Sequence, residues 1–302
     1  MKKVLPAVFI SLLALALVGI KYYPHVAQKF TADESNDSIS LSKSDQSAAN
    51  ANQKHKDPSL SETYPFGSID AEKFAKKHPK KFSIVKKMHY AWDNLKNVQG
   101  DFEWGYTGGE TFHVSFYLDL IEGKNRATLK RKSGDKIIEI TNLLFKDGIA
   151  IRQRPRKNNY TKQNTNNDQG DYYHYLRWSN TIVTSSQWSA FIYDNYPDWS
   201  YHVAEENGMQ VYKIKGTISK STSEAAAGPF EMTVAKNTGV LLDLKTFGND
   251  NQVDLFVRTK NLKINEGIKN EKEVFQLDVS DDKKVSNKTF NLSSVGAEAE
   301  KK

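Results

Sequence analysis

From Phe102 onward apolar side chains recur at every second position, and this period limits the chain to sheet architecture more strongly than any other property it has. Phe102, Trp104 and Tyr106 alternate with Asp101, Glu103 and Gly105. A Gly108-Gly109 turn follows, and Phe112, Val114, Phe116, Leu118 and Leu120 then alternate with His113, Ser115, Tyr117 and Asp119. Successive strand side chains point to opposite faces, so this reads as a hairpin with one apolar face. Further strands are predicted at 126–132, 136–145 and 149–153, with Lys146-Asp147-Gly148 turning the last two. Others follow at 203–205, 211–218, 230–236, 240–247 and 252–263, separated by Asn207-Gly208, a loop at 219–228, Asn237-Thr238-Gly239 and Gly248-Asn249-Asp250.

Three helices precede or interrupt the strands. Ser68 is an expected N-cap for a helix over 69–77, and Pro79 ends that helix or starts the next. The spacing of Phe82, Val85, Met88, Trp92 and Leu95 predicts an amphipathic helix over 80–95. A later helix, capped by Thr184 or Ser185 and stopped by Pro197, carries Trp188, Phe191 and Ile192. The expected fold class is α+β: one strongly curved antiparallel sheet of nine or ten strands, an unclosed half-barrel, with helices covering its concave face.

Ahead of this domain the chemistry changes twice. Residues 4–20 carry no charge and follow Met1-Lys2-Lys3, so the segment is a secretory signal or a membrane anchor. As a helix it is roughly 26 Å long, within reach of a bilayer core once Tyr22 and Tyr23 sit at the interface. Ala14-Leu15-Ala16 lies inside the apolar run, and His25-Val26-Ala27 puts a bulky ring where a signal peptidase needs a small residue. An uncleaved single-pass anchor with the C-terminal domain outside is therefore expected, and a secreted protein if it is cleaved. Residues 31–62 hold only Ile39, Leu41 and Leu60 as large aliphatics and no aromatic ring, too little apolar surface to fold. The expected organisation is an anchor or signal at 1–30, a disordered tether at 31–64, the domain at 65–280 and a polar tail at 281–302.

The chain has 302 residues, no cysteine and a formal charge of +7. Without cysteine there is no disulfide framework, thiolate metal site, cysteine nucleophile or lipobox. The excess of Lys and Arg over Asp and Glu fits general solubility, and also affinity for anionic lipid or wall polymers. The seven histidines are scattered with no H-x-x-H or H-E-x-x-H spacing, and no G-x-S-x-G or phosphate-cradling glycine loop occurs. No enzyme, metal, cofactor or nucleic-acid partner is expected. Lys and Asn richness with a cysteine-free anchor reads as bacterial, of the Gram-positive kind.

The order of parts carries a resemblance. An amphipathic helix ends in NLKNVQGDFEWGY, a strand pair follows, and then LLFKDGIAIRQRPRKNNYTKQ puts a basic strand after a turn. A helical insertion precedes QVYKIKGTIS, FEMTVAKNTGVLLDLKTFG and KNLKINEGIKNEKEVFQLDV. Over about residues 82–279 this resembles the LolA-like superfamily of extracytoplasmic half-barrels, which spans LolA, LppX-type proteins and the N-terminal domain of RseB. The resemblance implies an incomplete barrel, capped by helices, around an apolar cavity for acyl chains. The chain lacks the lipid-modified cysteine of LppX-type relatives and, if tethered, does not diffuse as a carrier.

Alternation then names the interior. Phe102, Trp104, Tyr106, Phe112, Val114, Phe116, Leu118, Tyr212, Ile214, Met232, Val234, Leu242 and Leu244 are expected on the concave side, faced by Trp92, Trp188 and Phe191 from the helices. Such a set either packs as core or lines a ligand cavity. Arg152, Arg154, Arg156 and Lys157 in RQRPRK form either a solvated strand end or a receptor for an anionic lipid headgroup. Tyr172, Tyr173, Tyr175, Trp178 and Trp199 either pack locally or form an aromatic platform. Two function classes follow: a membrane-held binding module for a lipid or other hydrophobic ligand, and an envelope sensor or protein-interaction domain with a packed interior.

Overall fold

A computed structural model of the chain describes residues 71–164, 176–183, 186–248 and 250–292. The expected anchor, the tether, the Ser68, Thr184 and Ser185 caps and residues 172–175 lie outside them. The chain divides into one unit up to Ser83 and another from Ile84.

Helix α1 (Ala71–Lys77) lies in the first unit and leads into helix α2 (Pro79–His89), which starts at Pro79 in that unit and whose residues from Ile84 onward belong to the second. Proline has no N–H to lose at this position, and its fixed φ suits a first helical residue. Phe74 meets Phe82 edge to face at 5.4 Å between ring centres. Helix α2 stops at His89, short of the expected Leu95; a separate 3-10 turn covers Ala91–Asn94.

The second unit holds one sheet of twelve strands, mainly antiparallel. They are β1 (Asn97–Tyr106), β2 (Glu110–Asp119), β3 (Lys124–Ser133), β4 (Lys136–Lys146), β5 (Ile149–Arg154), β6 (Asn159–Asn164), β7 (Trp199–Glu206), β8 (Met209–Ile218), β9 (Gly228–Ala235), β10 (Leu241–Phe247), β11 (Val253–Ile264) and β12 (Lys283–Lys284). Their order is β12-β6-β5-β4-β3-β2-β1-β11-β10-β9-β8-β7, so the sheet does not close on itself. Two wings of sequential hairpins meet where β1 pairs with β11. The fold class is the expected α+β open half-barrel.

Turn chemistry fixes the hairpins. Asp147 and Gly148 have φ of 53° and 69°, and Asn207 and Gly208 have 51° and 75°. Positive φ at both central residues is the two-residue turn whose twist matches its strands, and Asp-Gly and Asn-Gly adopt it at least cost. Gly239 has a different reason to be glycine. At φ +84° a Cβ there meets the carbonyl oxygen of Lys87 at 2.1 Å, so the β9–β10 turn sits against the last turn of α2. The Lys87 ammonium also donates to the Lys236 carbonyl at 3.0 Å.

Between β6 and β7 a helical insertion runs through a 3-10 turn (Arg177–Ser179), α3 (Asn180–Val183) and α4 (Ser186–Tyr193). Asn125 on β3 donates to the Leu176 carbonyl at 3.1 Å, and Trp199 Nε1 to the Ile192 carbonyl at 2.7 Å. Both bonds tie the insertion to the apolar face of the sheet. After β11 come α5 (Glu271–Val274), β12 and α6 (Asn287–Leu292). β12 runs parallel to β6, pairing Lys283 and Lys284 with Asn159 and Tyr160. Within the polar tail expected at 281–302, Lys283 and Lys284 thus join the sheet and Asn287–Leu292 forms a helix.

Candidate functional site

Residues directly opposite each other in paired strands share a face, so register converts the sequence pattern into rows across the sheet. One row runs Ile214, Met232, Leu244, Val257, Trp104, Phe112, Arg131, Glu139. Beyond the row of Val114, another row of the same face runs Gly100, Phe116, Ala127, Leu143, Arg152, Thr161. The same face is thus apolar from β8 to β2; it becomes charged from β3 onward in the first row, and only at Arg152 on β5 in the second.

Most of the apolar part is covered by the protein itself. Phe102, Val114, Phe116, Leu118 and Leu244 are fully buried, and Ile214, Met232, Val234, Trp188 and Phe191 are at most 4% exposed. Each such side chain contributes about 1.5–3 kcal/mol by leaving water. Trp188 and Phe191 meet edge to face at 5.6 Å, as do Phe102 and Phe116 at 5.8 Å. These ten expected interior residues are brought together.

The remaining six are not equivalent to them. Trp104 and Phe112 stack at 4.3 Å and 14° and are only half-buried, as are Tyr106 and Tyr212. Burial, and then the charge of Asp254, raise the Tyr106 phenol above its ordinary pKa. Leu242 falls in an irregularity between Leu241 and Asp243. The extra residue puts Leu241, fully buried, opposite Val234 and leaves Leu242 half-buried, which corrects its expected place beside Leu244. Trp92 sits in the 3-10 turn, edge to face with Tyr90 at 5.6 Å. Of the two places open to Trp199 the structure shows local packing: it is 4% exposed, with its Nε1 on the Ile192 carbonyl of the insertion.

The RQRPRK run divides. Arg152 and Arg154 share the charged part of the face, while Arg156 and Lys157 lie exposed in the 3-10 turn Pro155–Lys157. Arg156 donates to the Ile137 carbonyl at 2.6 Å. Arg154 is 6% exposed, with Nε 2.7 Å from Glu139 Oε1 and Nη1 donating to the Phe290 carbonyl. Arg131 stands 3.7 Å from Glu139 and 3.8 Å from Glu110. Arg152 donates to Asn291 Oδ1 and Asn287 Oδ1, both at 3.2 Å. The Phe290 ring lies under both guanidiniums, 4.9 Å from that of Arg152 and 4.1 Å from that of Arg154. Burial, followed by the charges of Arg177 and Arg154, lowers the Arg152 pKa to about 10. Arg131, Glu139, Phe290 and the two asparagines were not foreseen. The parity of Arg131 with Leu129 was the one available signal, since α6 has no apolar period.

The other face of the sheet is polar. A groove of about 770 Å³ is lined there by Gln99, Ser115, Tyr117, Arg126, Thr128, Lys263, Lys269 and Glu273, among others. Beside it Ser115 donates to Asp101 at 2.5 Å, and His113 Nε2 lies 3.5 Å from both. The hydroxyl proton goes to the carboxylate and not to the imidazole, so this trio is not arranged as a nucleophile with its base. No three His, Asp or Glu side chains among the described residues gather as a metal site.

No family model matches the chain, and no curated protein does. Solved structures are similar to it. One is a conserved uncharacterized protein of Thermus thermophilus, at 10% identity over 67% of this chain and 96% of that one, TM-score 0.37. Another is the MucA/MucB complex of Pseudomonas aeruginosa, at 13% identity over 68% of this chain, TM-score 0.36. The chain spans 62% of the matched chain in that complex, less than two thirds. A third is a LolA superfamily protein from Nitrosomonas europaea, at 6% identity over 70% and 99%, TM-score 0.24.

Proposed function

We propose that the chain is a non-catalytic binding module of the bacterial cell envelope, held outside the membrane by its N-terminal segment, that takes a lipid or other hydrophobic ligand. The observation that carries this reading is the composition of one sheet face, where an apolar row runs through the half-exposed Trp104–Phe112 stack into Arg131 and Glu139. An amphiphile needs that sequence of surfaces: apolar area for its chain, and polar or cationic groups for its head. The insertion 176–193 would have to lift or shift, because the rows beneath it are closed. The resemblance in the order of parts to LolA-like proteins supports the same reading.

A second reading is favoured by that closure. Phe102, Val114, Phe116 and Leu118 expose nothing, so the interior acts as a packed core and an outer surface meets an envelope protein. MucB, in the structure named above, is in complex with MucA.

Native mass spectrometry of residues 65–302 and displacement of a fluorescent acyl probe separate the two. Under the first reading lipid copurifies, the probe binds, and Trp104→Ala weakens the probe about tenfold while the fold survives, since Trp104 is half-exposed. Absence of both lipid and probe binding sinks the first reading and leaves the second.

A further inference from the structure

We propose that Arg152, with the Thr161 hydroxyl, forms an oxyanion site for a phosphate or carboxylate group, and that helix α6 fills it as a displaceable stand-in belonging to the chain. The Arg152 guanidinium presents its two terminal nitrogens as a fork. Nη1 donates to Asn291 Oδ1 and Nη2 to Asn287 Oδ1, each at 3.2 Å. Two acceptor oxygens side by side on one fork is the pattern a carboxylate or phosphate makes. Here the two oxygens come from residues four apart on α6, which share one helix side.

The substitutes are poorer acceptors than an anion. An amide oxygen is neutral, and bonds from guanidinium to an anion close to about 2.7–2.9 Å. The contrast with the next arginine on the same strand is direct: Arg154 has the Glu139 carboxylate at 2.7 Å, whereas the partners of Arg152 are two asparagines and the Phe290 ring. Arg152 also stands in the positive field of Arg154 and Arg177, and with burial this lowers its pKa to about 10. It stays charged at neutral pH, in surroundings that an arriving anion would improve.

A further donor is held ready. The Thr161 hydroxyl, 3% exposed and opposite Arg152 in the β5–β6 register, donates to Asn287 Oδ1 at 2.6 Å. When Asn287 leaves, that donor faces the same point as the fork. Phe290, 1% exposed, is the part of α6 that must come out. Arg152 continues the row of Phe116, Ala127 and Leu143, so an anion carrying an alkyl chain would lay it along apolar surface. That last step rests on the proposed lipid reading; the anion site itself does not.

The test uses the full chain in dodecyl maltoside micelles, which supply an uncharged headgroup on a similar alkyl chain. Inorganic phosphate and dodecyl phosphate are titrated separately by calorimetry, and trypsin cleavage at Lys284 and Lys288 is timed alongside. Binding is expected to release α6, so cleavage accelerates as the site fills. Arg152→Gln is expected to abolish binding and acceleration together. Asn291→Asp, at an exposed position, lays the chain's own carboxylate on the fork and is expected to weaken phosphate binding about tenfold. Binding of both anions identifies a site for the free group; binding of dodecyl phosphate alone identifies a headgroup site. The inference is overturned if neither anion binds, if Arg152→Gln binds as well as the parent, or if Asn291→Asp leaves affinity unchanged. Phosphate binding without acyl-probe uptake keeps this site and removes the lipid reading. Probe uptake that ignores Arg152→Gln does the reverse.

Discussion

A single buried imidazole gives this molecule a predictable response to acid. His89 ends α2, 9% exposed and edge to face with Tyr90 at 4.7 Å, and burial lowers its pKa from 6.5 to about 4. The unfolded chain therefore takes up a proton near pH 6.5 that the folded chain refuses until about pH 4. Stability from this group is complete above the unfolded pKa and drains away as pH falls through that window, by up to about 3 kcal/mol. His89→Phe should flatten this part of the pH dependence of urea midpoints between pH 7 and 4; an unchanged slope would refute the assignment. Residue identity was readable from sequence only where alternation held. Phe102, Val114 and Phe116 followed parity into the core, but Leu242 did not, because a one-residue bulge there breaks the alternation and puts Leu241, rather than Leu242, on the same face as Leu244. Arg154 looked like part of a solvated basic run and is buried, since its ion pair with Glu139 depends on a register that no local pattern encodes.

At the scale of elements, turns were the most legible parts and polar strands the least. Lys146-Asp147-Gly148 and Asn207-Gly208 specify their geometry chemically, and both appear where expected. β6, NYTKQN, was missed because its residues carry no apolar period; it is a strand by virtue of its bonds to β5 and to Lys283–Lys284. α6 was missed for the same reason, one phenylalanine in NKTFNL being too little to mark a buried face. Two substitutions test how elements are joined. Gly239→Ala forces a Cβ into the Lys87 carbonyl at a positive φ, and should cost about 3 kcal/mol in chemical denaturation. Trp199→Phe keeps the ring but strands the Ile192 carbonyl under the insertion, for a loss of about 1–2 kcal/mol. If the insertion is the part that lifts to admit a ligand, this second variant should also speed acyl-probe uptake in stopped-flow measurements.

For the whole molecule, the apolar run at 4–20 leads to the expectation that the full chain stays with membranes through an alkaline wash and keeps its N-terminal residues. Recovery of a soluble mature chain beginning after Ala27 would replace the tethered module with a secreted one. No helix among the described residues is long and apolar enough to span a bilayer. The topology of the sheet also dictates how the protein must come into being. Its central seam joins β1 to β11, partners such as Glu103 and Arg258 that lie 155 residues apart, while each wing is a ladder of neighbours in sequence. Local hairpins close in microseconds, whereas a seam between distant segments waits for both and is the slow event. Under the proposed export, a chain threaded outward from its N-terminus delivers β1 to β6 well before β11 arrives to cover β1. For that interval Trp104 and Phe102 border an open strand edge, and yield in the envelope should be limited by how fast the second half arrives rather than by the stability of the finished sheet.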